Sequence, residues 1–356
     1  RQEQTPADET IDGIRVLRTF TALTHLGGPL GRVLSFLSFA VSSLIAALRV
    51  RNVDLVMGTS PPIFQALSAW LVAALRRRPL LLEIRDLWPE FAVDMGVLKN
   101  PVLIQLSRWL ERFLYARADH LLVNSPAYVD YLVKKGVDPE KITLVANGVD
   151  PQMFDPEAKG NGLRNRLNLD GKFVVVYAGA IGPANDLSLL LDAAVDLKSD
   201  ARICFLIVGD GRERKQLQAR AEIDHLDNVL FTGARPKNEM PDYLAGADAC
   251  VAVLQDIPMF RMTYPNKVFD YMAAGRPIVL AIDGVIREVV EAARAGIFVP
   301  PGDARALAAA VRDLAEHRDK GNAMSAHGRA YVEQHFNRAE QCRHFVRLIE
   351  TLVARN

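Results

Sequence analysis

Short apolar runs alternating with helix-length stretches constrain this chain more than any other feature. In the first half they fall at residues 14–17, 54–57, 80–84, 121–123 and 142–145. In the second half they fall at 173–177, 203–208, 229–231, 249–254, 277–282 and 296–299. Each is aliphatic or β-branched, with turn-forming residues close by. A strand that is apolar along its whole length is covered on both faces, the habit of parallel sheets flanked by helices. The expected fold class is α/β with parallel sheets.

The chain has 356 residues, enough for two domains at about 150 residues each. The alternation breaks once, at residues 150–170, where Asp150-Pro151, Asp155-Pro156 and Gly160-Asn161-Gly162 cluster. We therefore expect one domain over 1–160, a second over 161–335, and a terminal helix over 336–356 that packs back on the first domain. Phe345, Leu348 and Leu352 give that helix an apolar stripe. The chain opens on Arg1, inside what reads as a domain already begun, so a front segment is expected to precede it.

Lys and Arg number 43 against 42 Asp and Glu, a balance that excludes a basic nucleic-acid coat. It hides an asymmetry. Residues 13–85 carry nine arginines and two carboxylates. Within them residues 33–48 have no charge at all. A second helix, 102–117, sets Leu106, Trp109, Leu110, Phe113 and Leu114 beside Arg108, Arg112 and Arg117. Apolar helices edged with arginine suit an anionic membrane surface, and equally a buried core. No apolar run is long enough to span a bilayer. The three cysteines are too scattered for a disulfide framework, so a cytoplasmic location is expected.

Two Gly-containing turns follow apolar strands: Gly179-Ala180-Ile181-Gly182 and Gly209-Asp210-Gly211, the second ahead of a helix near Arg212. Such turns at strand ends suit a nucleotide. The most informative block runs from Tyr264 to Pro277. Pro265 and Asn266 sit at a helix start, where free amides and the dipole favour phosphate. Lys267 in the first turn is unfavourable for the helix alone and points to a bound anion. Asp270 lies one turn on and can accept from ribose hydroxyls; an Asp–Lys pair on a solvated face is the plainer reading. In the first half, Glu83, Arg85 and Asp86 crowd the end of a buried strand ahead of Leu87-Trp88-Pro89. That is costly unless a cleft exposes them. His25, before Leu26-Gly27-Gly28, reads as a surface loop histidine. No metal motif, serine elbow or Walker lysine loop occurs.

Together with Asn228 to Gly233, Met240 to Asp248 and Val145 to Asp150, these motifs resemble the retaining glycosyltransferases of family four. Those have the GT-B fold, two facing Rossmann-like domains with a cleft between them. The chain is similar to transferases of O-antigen and polysaccharide assembly of the N-acetyl-L-fucosamine transferase type. The resemblance implies a metal-independent, retaining transfer of an N-acetylated amino sugar from a UDP-sugar to a polyprenyl-diphosphate-linked saccharide. It would work peripherally on the cytoplasmic face of the inner membrane, without cofactor. The donor would contact Gly179, Gly182, Gly209, Asp210, Gly211, Arg212, Lys237, Tyr264, Asn266, Lys267, Val268 and Asp270. Lys267 and the amides of Lys267 and Val268 would neutralise the leaving diphosphate, while Arg85 and Asp86 orient sugar or acceptor. The chain departs from the family where Met262 and Asp270 replace two glutamates and where Ala180 and Asn185 replace an Arg and a Lys. Arg85 also replaces a histidine. Lys267 is then the first choice for the missing charge, with Arg212, Lys237 and Arg261 behind it. Rival readings are a GDP- or ADP-sugar transferase, a UDP-N-acetylhexosamine epimerase, and a silent sugar-nucleotide-binding scaffold.

Overall fold

The computed structural model describes residues 8–22 and 29–355, which form two compact units. The first takes the described residues up to Val145 and those from His344 onward; the second runs from Ala146 to Arg343. The His25 loop lies outside the described residues.

In the first unit, strands Val56–Ser60, Leu80–Ile84, His120–Val123 and Ile142–Leu144 lie parallel and in chain order. Leu80, Leu81, Leu82 and Ile84 are buried, as a strand covered on both faces requires. The run at 14–17 does not join this sheet. It forms strand Ile14–Leu17, paired antiparallel with Asp8–Ile11 in a separate hairpin. The cause is local. Asp12 (φ 50°) and Gly13 (φ 82°) both take left-handed conformations, and Asp-Gly is a preferred two-residue hairpin turn. Within the last helix, Arg338–Ala354, residues Phe345, Leu348, Ile349 and Leu352 pack with Leu81 and Leu122.

Three helices of this unit sit side by side. Ser68 of helix Ile63–Arg76 donates to the Ala40 carbonyl of helix Pro29–Arg49 (3.0 Å). Trp70 meets Phe113 of helix Pro101–Arg117 edge to face, 4.8 Å between centroids. The inner face of this last helix is held by charge. Arg108 forks onto Glu90 (2.9 and 2.8 Å), and buried Glu111 accepts from Tyr115 and Tyr131, each at 3.1 Å. Lys135 pairs with the other oxygen of Glu111. Burial raises the Glu111 pKa, while Arg108 lowers that of Glu90. The outer face is left apolar: Val102, Leu103, Leu106 and Trp109 are exposed, as are Leu34, Leu37, Val41 and Ile45 of Pro29–Arg49. Among the described residues no helix is long and apolar enough to cross a membrane.

The second unit has six parallel strands. Across the sheet they run Gly296–Phe298, Ile278–Ala281, Ala249–Val253, Phe173–Ala178, Ile203–Val208, Val229–Gly233. The chain starts at the middle, winds to one edge, returns, and winds to the other. This is the Rossmann order, and it reverses between the first strand, Phe173–Ala178, and the fourth, Ala249–Val253. Ligands of such sheets bind beyond the carboxyl ends at that reversal. Residues 150–170 hold no strand, only short helical turns including Asn161–Arg166. The Gly148-Val149 motif has a packing role. Val149 exchanges backbone hydrogen bonds with Phe336 and Arg338 (2.9 and 2.8 Å), and a side chain on Gly148 would lie 2.8 Å from the Arg338 backbone.

Candidate functional site

The two glycine turns of the second unit press against each other. The Gly179 amide donates to the Val208 carbonyl and the Ile181 amide to the Asp210 carbonyl, both at 2.9 Å. A Cβ on Gly209 would lie 1.8 Å from the Gly179 oxygen, and one on Gly211 2.1 Å from the Ile181 oxygen. These glycines are required by backbone contact before any ligand is considered. Gly182 differs: a Cβ there would meet nothing within 4 Å. Asp210 is already engaged, accepting from the Gly211 amide (2.7 Å) and Arg214 (3.1 Å), which holds its carboxyl below the usual range. Arg212 is exposed.

Lys267 reaches across the reversal. It comes from helix Asn266–Ala273, after the fourth strand, yet its Nζ donates to the Tyr177 hydroxyl (2.9 Å) and to Asn185 Oδ1 (2.8 Å) around the first strand. It also lies over the Tyr177 ring, 4.3 Å from the centroid. The Tyr177 hydroxyl donates onward to the Ala180 carbonyl (2.7 Å), so it accepts from Lys267. Tyr271 fixes the helix, its hydroxyl accepting from the Ala178 amide (2.9 Å). Of the three ammonium donors two are engaged, and among the described residues nothing takes the third. A Cβ on Gly179 would lie 3.2 Å from this Nζ, so the glycine gives the amine its place. Burial without a carboxylate partner pushes its pKa down to about 7.

Asp270 makes no ion pair with Lys267; none of the ion pairs or hydrogen bonds found among the described residues uses its carboxylate. Burial pushes it up to about 6, against the pull of Lys237 and Arg338. Exposed Lys237 thus lies within electrostatic reach of it. Asn266 is exposed. Tyr264 packs edge to face on Phe269 (5.6 Å) and Phe336 (5.8 Å), and burial lifts its phenol to about 12. Val268 requires a correction. Its side chain is buried in the core, and its amide donates to the Pro265 carbonyl (3.0 Å), so this amide is spent within the turn. Arg261 pairs with Asp256 (2.8 Å). Among the described residues no group of three metal-ligating side chains occurs.

In the first unit, Arg85 and Asp86 follow the carboxyl end of Leu80–Ile84. Arg85 is exposed, and its amide is tied to the Ser60 carbonyl (2.9 Å). Asp86 and Glu83 are half-buried, and burial raises both pKa values against the pull of Arg85. Burial, and after it the charge of Asp86, raises the pKa of Tyr128. The Trp88 indole nitrogen is buried and has no hydrogen-bond partner among the described residues.

Two family models divide the chain. Residues 172–317 match "Glycosyl transferases group 1" and residues 1–148 match "Glycosyl transferase 4-like domain". The chain belongs to the group 1 glycosyltransferases. The GDP-mannose-dependent alpha-mannosyltransferase of Mycobacterium tuberculosis is 29% identical over 303 residues, 83% of this chain and 72% of that one. The amylovoran biosynthesis glycosyltransferase AmsK of Erwinia amylovora is 28% identical over 250 residues, 67% of this chain and 58% of that one. Among solved structures, Anabaena HepE in complex with UDP superposes with a TM-score of 0.73 at 19% identity, over 90% of this chain and 84% of that one. That likeness bears on the fold, two Rossmann-like domains.

In this glycosyltransferase the residues after the first strand and those of the Tyr264-to-Pro277 block converge through Lys267 and Asn185, while Arg261 is engaged by Asp256. Sequence reasoning missed Tyr177, Tyr271, Arg214 and Arg338. A hydroxyl-bearing side chain in an otherwise apolar strand was the available signal for Tyr177. Arg214 carried none, though its Nε is buried without a partner and it crowds Gly233.

Proposed function

We propose that this glycosyltransferase moves a sugar, with retention, from a UDP-sugar to a polyprenyl-diphosphate-linked saccharide during assembly of a bacterial surface polysaccharide. The observation that carries the reading is the unspent Lys267 donor at the strand-order reversal. A diphosphate oxygen there would complete the ammonium's third hydrogen bond and supply its missing counter-charge. In the reaction the acceptor oxygen bonds to the anomeric carbon as the carbon–phosphate oxygen bond breaks. Attack and departure share one face, and the acceptor proton passes to the leaving phosphate oxygen. Lys267 stabilises charge as it builds on that phosphate. The open space at Gly182 leaves room for the diphosphate. Asp270, with Lys237 beside it, accepts from the ribose, and Arg85 and Asp86 orient sugar or acceptor. An N-acetylated amino sugar is our expected donor sugar.

Asp270→Ala is expected to weaken UDP binding about tenfold, the scale of one charged hydrogen bond. Because burial lifts its carboxyl to about 6, wild-type affinity should also fall as pH drops below 6 and the acceptor is protonated. Calorimetry on both chains at pH 6.5 and pH 5, where Lys267 stays mostly protonated, reads both; equal affinities for wild type and variant would remove Asp270 from the site. The mannosyltransferase relative, named for GDP-mannose, favours a second reading with a guanosine donor. Thermal-shift assays with UDP, GDP and ADP separate them, and a larger shift with GDP replaces the uridine assignment.

The membrane-facing part of the proposal rests on the exposed apolar faces of Pro29–Arg49 and Pro101–Arg117. Val41 (58% exposed), Leu106 (56%) and Trp109 (55%) are too open for core residues. Exposed Arg49, Arg51, Arg77, Arg78, Arg112 and Arg117 belong to the same unit. The chain is expected to float with anionic liposomes at low salt, and Leu106→Glu/Trp109→Glu to cut the floated fraction at least fivefold. Absence of wild-type flotation would refute peripheral docking.

A further inference from the structure

We propose that the first unit carries a second ligand site, for a small soluble molecule bearing a phosphate group, where the last helix borders the amino-terminal edge of its sheet. The pocket there has a volume of about 420 Å³, within the usual range for small-molecule sites. It is separate from Arg85 and Asp86, which follow the opposite, carboxyl end of the same parallel strands.

Helix Arg338–Ala354 and its end supply His344, Arg347, Thr351 and Arg355 to the lining, spaced three, four and four residues apart and so on one face. The sheet supplies His120, first residue of its strand, and Thr143. His120 Nε2 and Thr143 Oγ1 are 2.7 Å apart, which fixes the ring and leaves Nδ1 uncommitted. Neither Arg347 nor Arg355 has a side-chain hydrogen bond or ion pair among the described residues. Elsewhere on the same helix Arg343 pairs with Glu340. Two unspent guanidinium forks are suited to phosphate oxygens, which they can grip in pairs. Glu140 is the one carboxylate in the lining. The neighbourhood is electropositive: after burial, Arg355 and Lys141 are what lower the His120 pKa.

The test titrates inorganic pyrophosphate into the full chain and follows the imidazole resonances by nitrogen–proton NMR. Saturable shifts of His120 and His344 are expected, with at least tenfold weaker binding in Arg347→Ala/Arg355→Ala. Both arginines are exposed, so the variant should melt like wild type. The shifts should persist in Lys267→Ala, which removes the other expected pyrophosphate site and makes this outcome independent of the proposed donor site. Glu140→Gln deletes the opposing charge and should tighten binding at least threefold. Unmoved His120 and His344 resonances, or equal affinity in the double alanine variant, overturn the proposal. So does a response to phosphatidylglycerol vesicles but not to pyrophosphate, which would make the ligand a lipid headgroup.

Discussion

Lys267→Met is expected to lower sugar transfer by about 10²–10³-fold, the usual cost of removing a donor aimed at developing charge. The same change should make the folded chain more stable. The ammonium is buried without a carboxylate partner, and its pKa falls to about 7. Each unit of such a shift is worth about 1.4 kcal/mol. Losing the bonds to Tyr177 and Asn185 offsets part of this, at about 1 kcal/mol each. A net gain of roughly 1–3 kcal/mol remains. The sign with pH is definite. Below pH 7 both folded and unfolded chains hold the proton, and the penalty is full. Between pH 7 and the unfolded value of about 10.4, only the unfolded chain holds it, so wild-type stability rises with pH. Above that range the penalty is gone. The advantage of Lys267→Met should therefore be largest at or below pH 7, shrink as pH rises, and reverse by about pH 10.5, where only the two lost hydrogen bonds count. Denaturant unfolding at the two pH values, beside a transfer assay, reads both effects. A variant that loses stability and keeps turnover would make Lys267 a structural residue.

Why this lysine was legible, and its surroundings less so, follows from what each depends on. A cation in a first helical turn opposes the dipole, a local fact visible in Pro265-Asn266-Lys267. Its partner Asn185 lies 82 residues earlier and reads alone as a lost positive charge. In the fold, that asparagine holds the charge brought by Lys267. The buried strands were legible for the same local reason. The run at 203–208 is strand Ile203–Val208, residue for residue, because both its faces are covered. The run at 54–57 begins its strand two residues late, as Val56–Ser60, where Gly58 admits the Ala69 methyl. The hairpin at Asp12-Gly13 is legible only from its turn residues, since the apolar content of Ile14–Leu17 does not distinguish it from a strand of the parallel sheet. The availability of the Val268 amide depends on one carbonyl three residues back, and no residue pattern reports that.

Gly209→Ala should strongly destabilise the second unit. The new methyl would fall 1.8 Å from the Gly179 carbonyl oxygen, backbone against side chain, at a φ of 145° that L-residues rarely adopt. No rotamer change relieves such a contact, so the two turns must part. A cost of about 3 kcal/mol or more is expected. At roughly 2–4 °C per kcal/mol for a unit of this size, the melting temperature should drop by about 6–12 °C. Gly182→Ala is the matched control, since a Cβ there meets nothing within 4 Å. Its stability should stay within about 0.5 kcal/mol of wild type. Nucleotide affinity then divides the two roles of glycine. If the space at Gly182 is filled by the donor diphosphate, UDP binding should weaken at least fivefold in a chain that melts normally. If affinity is unchanged, the diphosphate runs elsewhere and Lys267 meets it from another side.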